Sequence, residues 1–316
     1  MAGRWILALL VVVSACRSKE APPSSSSPDP GSANLEAPRV HTFPAPDIAL
    51  PARRSFKLLS AGEAPHALVR YALEARESSY DVTTRLGSRR LAGAAWSERV
   101  AHPEMTTTLV VSSAAPGRIV GRAVAAKIAG TATPDTDQYV AGWNAIAGRR
   151  VVIELDDRGQ LGTISFPDDP AGTTGSTDDL AQRLLGTLVP LPEEPIGIGA
   201  SWRVVTILRQ RPAIVKQTAT YKLVERTGSV WKIDVDIVRL GEPQTLLDPS
   251  IPAGTSIELI NLVRKLKGTI EIDASAPFGV GELAVESTMH VRVQSQGQGA
   301  AEEILEDTGT IRLAVH

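Results

Sequence analysis

Hydrophobic and polar residues alternate along most of the chain after Pro65, which is the pattern of strands with one buried face. In the run Trp231–Ile237, Trp and branched aliphatic residues take every second position, and charged residues take the positions between them. Residues 219–223 alternate in the same way, and Thr227–Val230 joins the two runs. Because Gly228 stands at the first central position of that joint, a hairpin with a type II′ turn is predicted.

A second hairpin is predicted over 151–166, where Asp157-Arg158-Gly159 separates two alternating runs. A short helix or strand is expected near 53–59. Further strands are expected in the following ranges: 67–75, 79–87, 105–113, 118–129, 201–210, 283–293 and 311–315. Since the connections between strands are short, neighbouring strands should be mostly antiparallel.

Three segments break the alternation and predict short helices. One is Asp178–Val189, with Thr177 as its N-cap and leucines at helical spacing. A weaker helix opens at 135–138 and ends at Gly148. These two are expected to cover one face of the sheet or to fill its opening.

The third predicted helix is Ser256–Lys267. Thr255–Glu258 has the form of a capping box, and Gly268 follows the last apolar residue as a C-terminal stop. Its hydrophobic residues cover more than one stripe, so most of its surface must be buried. We therefore expect this helix to pack across the concave face of the sheet as a plug or lid.

Together these elements predict a mainly β (α+β) fold. A sheet of about ten strands must curl or close, which predicts a large curved antiparallel sheet or an open barrel with about three short helices. The expected domain is 53–316. Two of the predicted helices are each followed by Gly and a similar hairpin, which is consistent with two related lobes, 65–175 and 176–316.

Residues 1–15 have the organisation of a bacterial signal peptide. Arg4 precedes nine apolar residues in a row, too few to span a bilayer, and small residues then lead to Cys16. Val13-Ser14-Ala15-Cys16 resembles the bacterial lipobox, in which the signal is cut before the cysteine and its thiol receives a diacylglycerol. The alternative is an ordinary secretory signal that happens to contain a cysteine.

Residues 16–52 are predicted to be the lipidated Cys16 and a disordered tether, because Pro and Ser dominate and almost nothing could be buried. The expected location is the bacterial cell envelope, with the membrane as partner through lipid on Cys16. If the Gram-negative sorting rule applies, Arg17 after the cysteine favours the outer membrane, on its periplasmic face.

Charge and cysteine content remove several function classes. The chain has 33 basic and 35 acidic residues, spread without a basic stripe, so nucleic acid is not expected as a partner. Cys16 is the single cysteine, which excludes disulfides, cysteine nucleophiles and thiolate zinc sites from the folded part.

No catalytic, cofactor-binding or metal-binding residue is predicted. The chain lacks a nucleophile elbow, a P-loop and a dinucleotide fingerprint. The acidic segment 168–179 lacks the ligand spacing of a calcium loop. The five histidines are expected to be ordinary surface residues: His41, His66, His102, His290 and His316. The adjacent carboxylates at 156–157, 168–169, 178–179, 193–194 and 302–303 mostly fall at turns or helix starts, where solvated acids are tolerated.

The segment Leu191–Trp202 combines two prolines, two glycines and a tryptophan. Its physical interpretation is structural: the prolines keep the backbone extended, the glycines permit a tight turn, and Trp202 anchors the following strand. The residues that define it are Pro192, Pro195, Gly197, Gly199 and Trp202. This pattern resembles a Pro-x-x-Pro-Val/Ile-x-x-Gly-x-x-Trp signature in a family of uncharacterised β-rich bacterial secreted proteins and lipoproteins. The resemblance implies a fold and a location, and no activity.

Three functions remain open. The first is a non-enzymatic envelope lipoprotein, binding or structural, whose ligand is a partner protein, a glycan or a lipid. The second is a half-barrel carrier of lipid or lipoprotein, in which the curved sheet encloses an acyl chain. The third is a hydrolase whose site is assembled from distant residues. No cofactor is expected in any of them.

Overall fold

The computed structural model describes residues 54–115, 117–131, 140, 143–144, 146–168, 188–210, 213–246, 251, 254–295 and 299–316. These residues are mainly β, as the sequence predicts, and form one 15-stranded sheet. The signal peptide, Cys16 and the tether lie outside the described residues. Within the described part, no helix is long and apolar enough to cross a membrane.

The strands are β1 (Arg54–Ser60), β2 (Ser78–Ala92), β3 (Ala95–Trp96), β4 (Val100–Ala101), β5 (Glu104–Ala115), β6 (Arg118–Ala129), β7 (Arg150–Leu155), β8 (Leu161–Ser165), β9 (Ser201–Gln210), β10 (Ala213–Thr227), β11 (Val230–Gly241), β12 (Gln244–Thr245), β13 (Thr255–Asp273), β14 (Val280–Ser295) and β15 (Ala301–Val315).

Every pairing in the sheet is antiparallel. The order is β1-β9-β10-β11-β13-β14-β15-β2-β5-β6-β7-β8, with the short β12 on β13, and β3 and β4 on β2. The sheet therefore contains strands from both predicted lobes, and β1 and β8 stand at its two edges. Both predicted hairpins are present, as β10–β11 and β7–β8. Gly228 has φ +60° and no described non-glycine residue has a positive φ, as a type II′ turn requires.

The sheet curls until its edges approach one another. Alternate residues of the central strands are buried, and the buried side chains from all the long strands belong to a single core. Arg54 of β1 donates hydrogen bonds to Gln160 Oε1 and to the carbonyl of Leu161 on β8, both at 3.4 Å. Beside them, the Arg158 guanidinium lies 5.1 Å from the centre of the Phe56 ring. Side chains therefore close the seam between the edges.

The predicted helix Ser256–Lys267 is wrong, because this segment lies inside the 19-residue strand β13. A bulge between Leu259 and Asn261 inserts one residue and shifts the alternation, so the interior positions become 257, 259, 262, 264 and 266. Because these interior positions are two or three residues apart, the hydrophobic pattern resembles that of a helix. Pairing with β11 and β14 on both sides satisfies the backbone of the strand. The plug or lid assigned to this helix is therefore wrong as well.

Two further predictions have mixed outcomes. Of Asp178–Val189, positions 178–187 lie outside the described residues, while Leu188 and Val189 are buried without helical backbone. Of the weaker helix, 135–139 lie outside the described residues, positions 140, 143 and 144 are helical, and Gly148 follows with φ +80°.

The strand predicted at 67–75 is wrong apart from an isolated bridge between Ala67 and Ile196. The segment has the alternation of a strand because Val69, Tyr71 and Leu73 point into the core. Its backbone bonds to turns of the sheet instead of to a neighbouring strand. The donors and acceptors are Tyr71 N to Asp157 O, Ala72 N to Ala274 O and Glu74 N to Ser275 O.

These bonds place segment 61–77 across one end of the curled sheet, which we call the closed end. Segment 188–200 crosses the same end and contributes to the hydrophobic core the side chains of Leu188, Val189, Leu191, Ile196 and Ala200. Tyr71 Oη donates to the carbonyl of Val189 at 3.2 Å and ties the two segments together. The closed end is thus built from two extended segments that belong to no strand of the sheet.

Candidate functional site

The signature segment belongs to the closed end. Trp202 is 0% exposed, its Nε1 donates to the carbonyl of Pro190 at 2.7 Å, and its ring stacks on Tyr221 with centroids 5.6 Å apart. A Cβ at Gly197 would lie 1.7 Å from the carbonyl oxygen of Glu63, and Gly199 has φ +81°. The structure thus gives these residues packing roles, as their physical interpretation predicts.

The two prolines of the signature differ in exposure. Pro192 is buried and its carbonyl accepts a hydrogen bond from Arg70 Nη1 at 2.8 Å, whereas Pro195 is exposed. None of these contacts leaves a polar group available for chemistry. The signature therefore stabilises the closed end and is not the candidate site.

The described histidines are separated from one another. His66 bonds the carbonyl of Gly62, His290 bonds Glu302, and His316 lies 3.4 Å from Asp81. Within the described ranges, no group of three His, Cys, Asp or Glu side chains could hold a metal ion. His41 and most of the acidic segment 168–179 lie outside the described residues.

The candidate site is a line of polar side chains that crosses the inner face of the curled sheet. Each member pairs in register with the next across seven strands, so all point to the same face. We call it the polar row, and its members are Thr206, Gln217, Arg239, Arg264, Ser287, Asp307 and Ser88.

Hydrophobic rows flank the polar row on both sides. The row nearer the closed end contains Val204, Ala219, Ile237, Leu266 and Val285. The row on the other side contains Leu208, Val215, Leu262, Met289 and Leu305. The inner face is therefore amphipathic, with one polar line between two apolar ones.

Arg239 is the most unusual member of the polar row. It is 5% exposed, and its Nε donates to Gln217 Oε1 at 2.8 Å. Among the described residues, no carboxylate lies within 4.0 Å of it and no acceptor bonds its two Nη atoms. Burial lowers the pKa of Arg239 to about 9, with a smaller contribution from the neighbouring charge of Arg264. The guanidinium is still protonated at neutral pH, so a positive charge stays buried.

Another buried charge on the inner face, that of Glu303, has a partner of opposite charge. Glu303 is buried on the same face, and Arg90 donates a hydrogen bond to its Oε1. Arg239 has no such carboxylate in the described part of the chain.

The opposite end of the polar row is acidic. Asp307 is 7% exposed, and burial raises its pKa, an effect that the charges of Arg264, His102 and Arg99 partly offset. Ser88 Oγ hydrogen-bonds His102 Nε2, so a serine and a histidine lie in direct contact, as a nucleophile and its base do. Within the described residues, no carboxylate hydrogen-bonds His102 in the way that a catalytic triad orients its base.

A small cavity separates the seam from the polar row. Its volume is about 10 Å³, room for one water molecule. Four polar side chains line it, together with apolar groups of the closed end: Arg54, Thr206, Gln217 and Tyr221. Burial lowers the pKa of Arg54 and raises that of Tyr221. Polar lining thus continues from the polar row toward the seam.

Sequence reasoning missed the polar row, although a signal was present. In β11 the interior positions follow from Trp231 at every second residue, and Arg239 falls on that series where a hydrophobic residue is expected. Asp307 stands in the same way on the series of Leu305 and Leu313. The signal was a charged residue at a position that the alternation assigns to the buried face of the strand. The partners across the sheet could not be read from spacing.

No family model matches the chain, and no curated protein matches it. The resemblance of Leu191–Trp202 to a family signature therefore stays a prediction.

Proposed function

We propose that the chain is a lipid-anchored protein of the bacterial cell envelope whose folded part is a non-enzymatic binding module. The order of charge, apolar run, small residues and Cys16 supports the anchor. The observation that carries the binding role is the guanidinium of Arg239, which is 5% exposed and bonds Gln217, with no carboxylate beside it in the described part of the chain.

A carrier of lipid or lipoprotein is the second candidate, because the inner face of the curled sheet places a polar line between two apolar lines. The side chains of the apolar lines are already buried in the core, and the cavity beside the polar row is about 10 Å³. This candidate therefore has the weaker support.

A hydrolase is less well supported. Ser88 and His102 are hydrogen-bonded to each other, yet no carboxylate orients the histidine in the described residues. The proposed module is therefore a binder.

The test is native mass spectrometry of the full-length protein, purified from membranes in mild detergent. We expect a co-purifying small molecule in addition to the lipid on Cys16. If the spectrum contains only the lipidated chain at every detergent concentration, and addition of envelope lipids changes nothing, the binding role is refuted in its lipid form.

The anchor is tested by Cys16→Ser. We expect this variant to lose membrane attachment while its folded part keeps its melting temperature, because Cys16 lies outside the predicted domain and the tether separates them. Sedimentation with membranes after a high-salt wash measures attachment. A variant that still sediments would contradict the lipid anchor and leave the folded part's role untouched.

A further inference from the structure

We propose that an apolar patch on the outer face of the sheet docks on the phospholipid surface of the membrane to which lipid on Cys16 holds the chain. This inference rests on the lipid anchor of the proposed function, and it adds a second contact, made by the folded part itself.

The outer face of the sheet is the one turned away from the hydrophobic core. On it, Ile207, Ile214 and Leu240 are 41%, 50% and 44% exposed. Lys216 pairs in register with both Ile207 and Leu240, and Ile214 lies two residues before Lys216 on β10, so the three aliphatic side chains surround one lysine. Two half-buried valines occupy the next row of the same face. We call the whole group the outer patch, and its members are Val205, Ile207, Ile214, Lys216, Val238 and Leu240.

The patch interrupts the usual character of an exposed sheet face. Along β11 toward the closed end, the outer positions that follow Leu240 and Val238 are charged, namely Asp236, Asp234 and Lys232. Exposed aliphatic residues that stand singly are ordinary, whereas a contiguous group marks a surface that another molecule covers. The outer patch is such a group.

The position at which the chain enters the sheet indicates which molecule this is. Arg54, the first residue of β1, pairs with Thr206, and Ile207 is the next residue along β9. The chain that leads from Cys16 therefore reaches the sheet beside the outer patch. A flexible chain as long as residues 17–53 has a root-mean-square span of roughly 30–35 Å. Lipid on Cys16 would thus keep the patch near the membrane, where a weak contact is populated because its effective concentration is high.

The chemistry of the patch matches a phospholipid surface. Aliphatic side chains gain free energy at the boundary between headgroups and acyl chains, and a lysine among them lays its stem along the apolar surface while its ammonium reaches a phosphate. The nearest exposed charged residues on the outer face carry both signs, Arg203 and Lys265 against Asp236 and Glu242. The charge of the patch is therefore that of Lys216.

A second copy of the chain is a poorer occupant. A two-fold symmetric contact between two outer patches brings the same residues together from both subunits. Lys216, at the centre of the patch, would then approach its own counterpart inside an apolar contact, which removes two like charges from water. A phospholipid surface instead offers Lys216 an anion.

The experiment uses full-length Cys16→Ser, because the weaker contact of the patch is measurable only without the covalent lipid. The probes are vesicles of phosphatidylcholine alone and of phosphatidylcholine with phosphatidylglycerol, at millimolar lipid and low salt, and flotation measures the bound fraction. We expect reversible binding to both, about fivefold tighter to the anionic vesicles. A high-salt wash should remove this binding, which keeps it separate from the test of the anchor.

Ile214→Thr combined with Leu240→Thr should lower vesicle binding by about tenfold, because it removes apolar surface that the membrane would bury. Threonine keeps the β propensity of both positions, and the melting temperature without vesicles checks folding. The matched control is Leu68→Thr with Ile198→Thr, since these side chains are 57% and 39% exposed at the closed end. The control should bind vesicles as Cys16→Ser itself does.

Lys216→Gln tests the charge of the patch and removes no apolar contact. We expect it to abolish the preference for phosphatidylglycerol and to leave binding to phosphatidylcholine unchanged. This variant also keeps the inference testable if the double variant fails to fold.

Four outcomes would overturn the inference. They are no binding of Cys16→Ser to either vesicle, unchanged binding of the patch variants, an equal loss in the closed-end control, and a dimer in sedimentation equilibrium that only the patch variants dissociate. The last outcome would assign the patch to a second copy.

The anchor of the proposed function fails in a different way. Attachment of Cys16→Ser that resists the high-salt wash would refute the lipid on Cys16. Weaker vesicle binding of the patch variants would still assign the outer patch to the membrane. Conversely, an intact anchor with indifferent patch variants would overturn the inference alone.

Discussion

Trp202 is the largest of the fully buried side chains, and its position at the start of β9 joins the closed end to the sheet. Its ring stacks on Tyr221 of β10, and its Nε1 bonds the carbonyl of Pro190 in segment 188–200. At the scale of single residues, the bulky aromatic side chains stabilise, while the polar ones of the inner face carry the candidate function.

Trp202→Ala should lower the free energy of unfolding by about 3–5 kcal/mol, because it leaves a large cavity and removes the hydrogen bond that Trp202 Nε1 donates to the carbonyl of Pro190. Urea denaturation of the full-length protein measures this. The control is Trp96→Ala, since Trp96 is 39% exposed under Arg89 and should cost less than about 1 kcal/mol. Equal losses in the two variants would mean that Trp202 is not a core residue.

At the scale of elements, β13 is the strand whose hydrophobic pattern is most misleading, because it predicts a helix. Its bulge between Leu259 and Asn261 sets the interior register that brings Arg264 beside Arg239. Gly268, which suggested the end of a helix, instead lies in mid-strand between β11 and β14. There a Cβ would lie 2.0 Å from the carbonyl oxygen of Glu282.

Gly268→Ala should therefore destabilise the protein by roughly 1–3 kcal/mol, since a backbone oxygen must move to admit the methyl group. Gly299→Ala is the control, because no atom lies within 4 Å of its added Cβ. The measurement is the melting temperature, and a rise on Gly268→Ala would contradict the strand.

At the scale of the whole molecule, the seam between β1 and β8 decides how the sheet is closed. In the described residues no backbone pairing joins these two edges, and Arg54 bonds Gln160 and Leu161 across the gap. The seam also borders the small polar cavity that leads to Gln217. It is consequently the place where the curled sheet can open with the smallest loss of hydrogen bonds.

Arg54→Met should accelerate amide hydrogen exchange in β1 and β8 by roughly five- to tenfold, because it removes the polar contacts across the seam. Exchange in β13 and β14, which are paired on both sides, should stay at the wild-type rate. Arg292→Met serves as the control on the outer face. Uniform acceleration across all strands would indicate global destabilisation, and no acceleration at the edges would show that Arg54 does not hold the seam.

Sequence by itself determined the β class, the antiparallel hairpins and the burial of Trp202, because alternation, turn residues and aromatic anchors act over a few neighbouring positions. Tertiary structure decided the rest. Only the pairing of β13 with β11 and β14 distinguishes a bulged strand from a helix, since both give apolar residues at mixed intervals. Only the register across seven strands brings Gln217, Arg239 and Asp307 into one row. Residues so distant in the chain become neighbours through sheet hydrogen bonds, and no local spacing encodes that proximity.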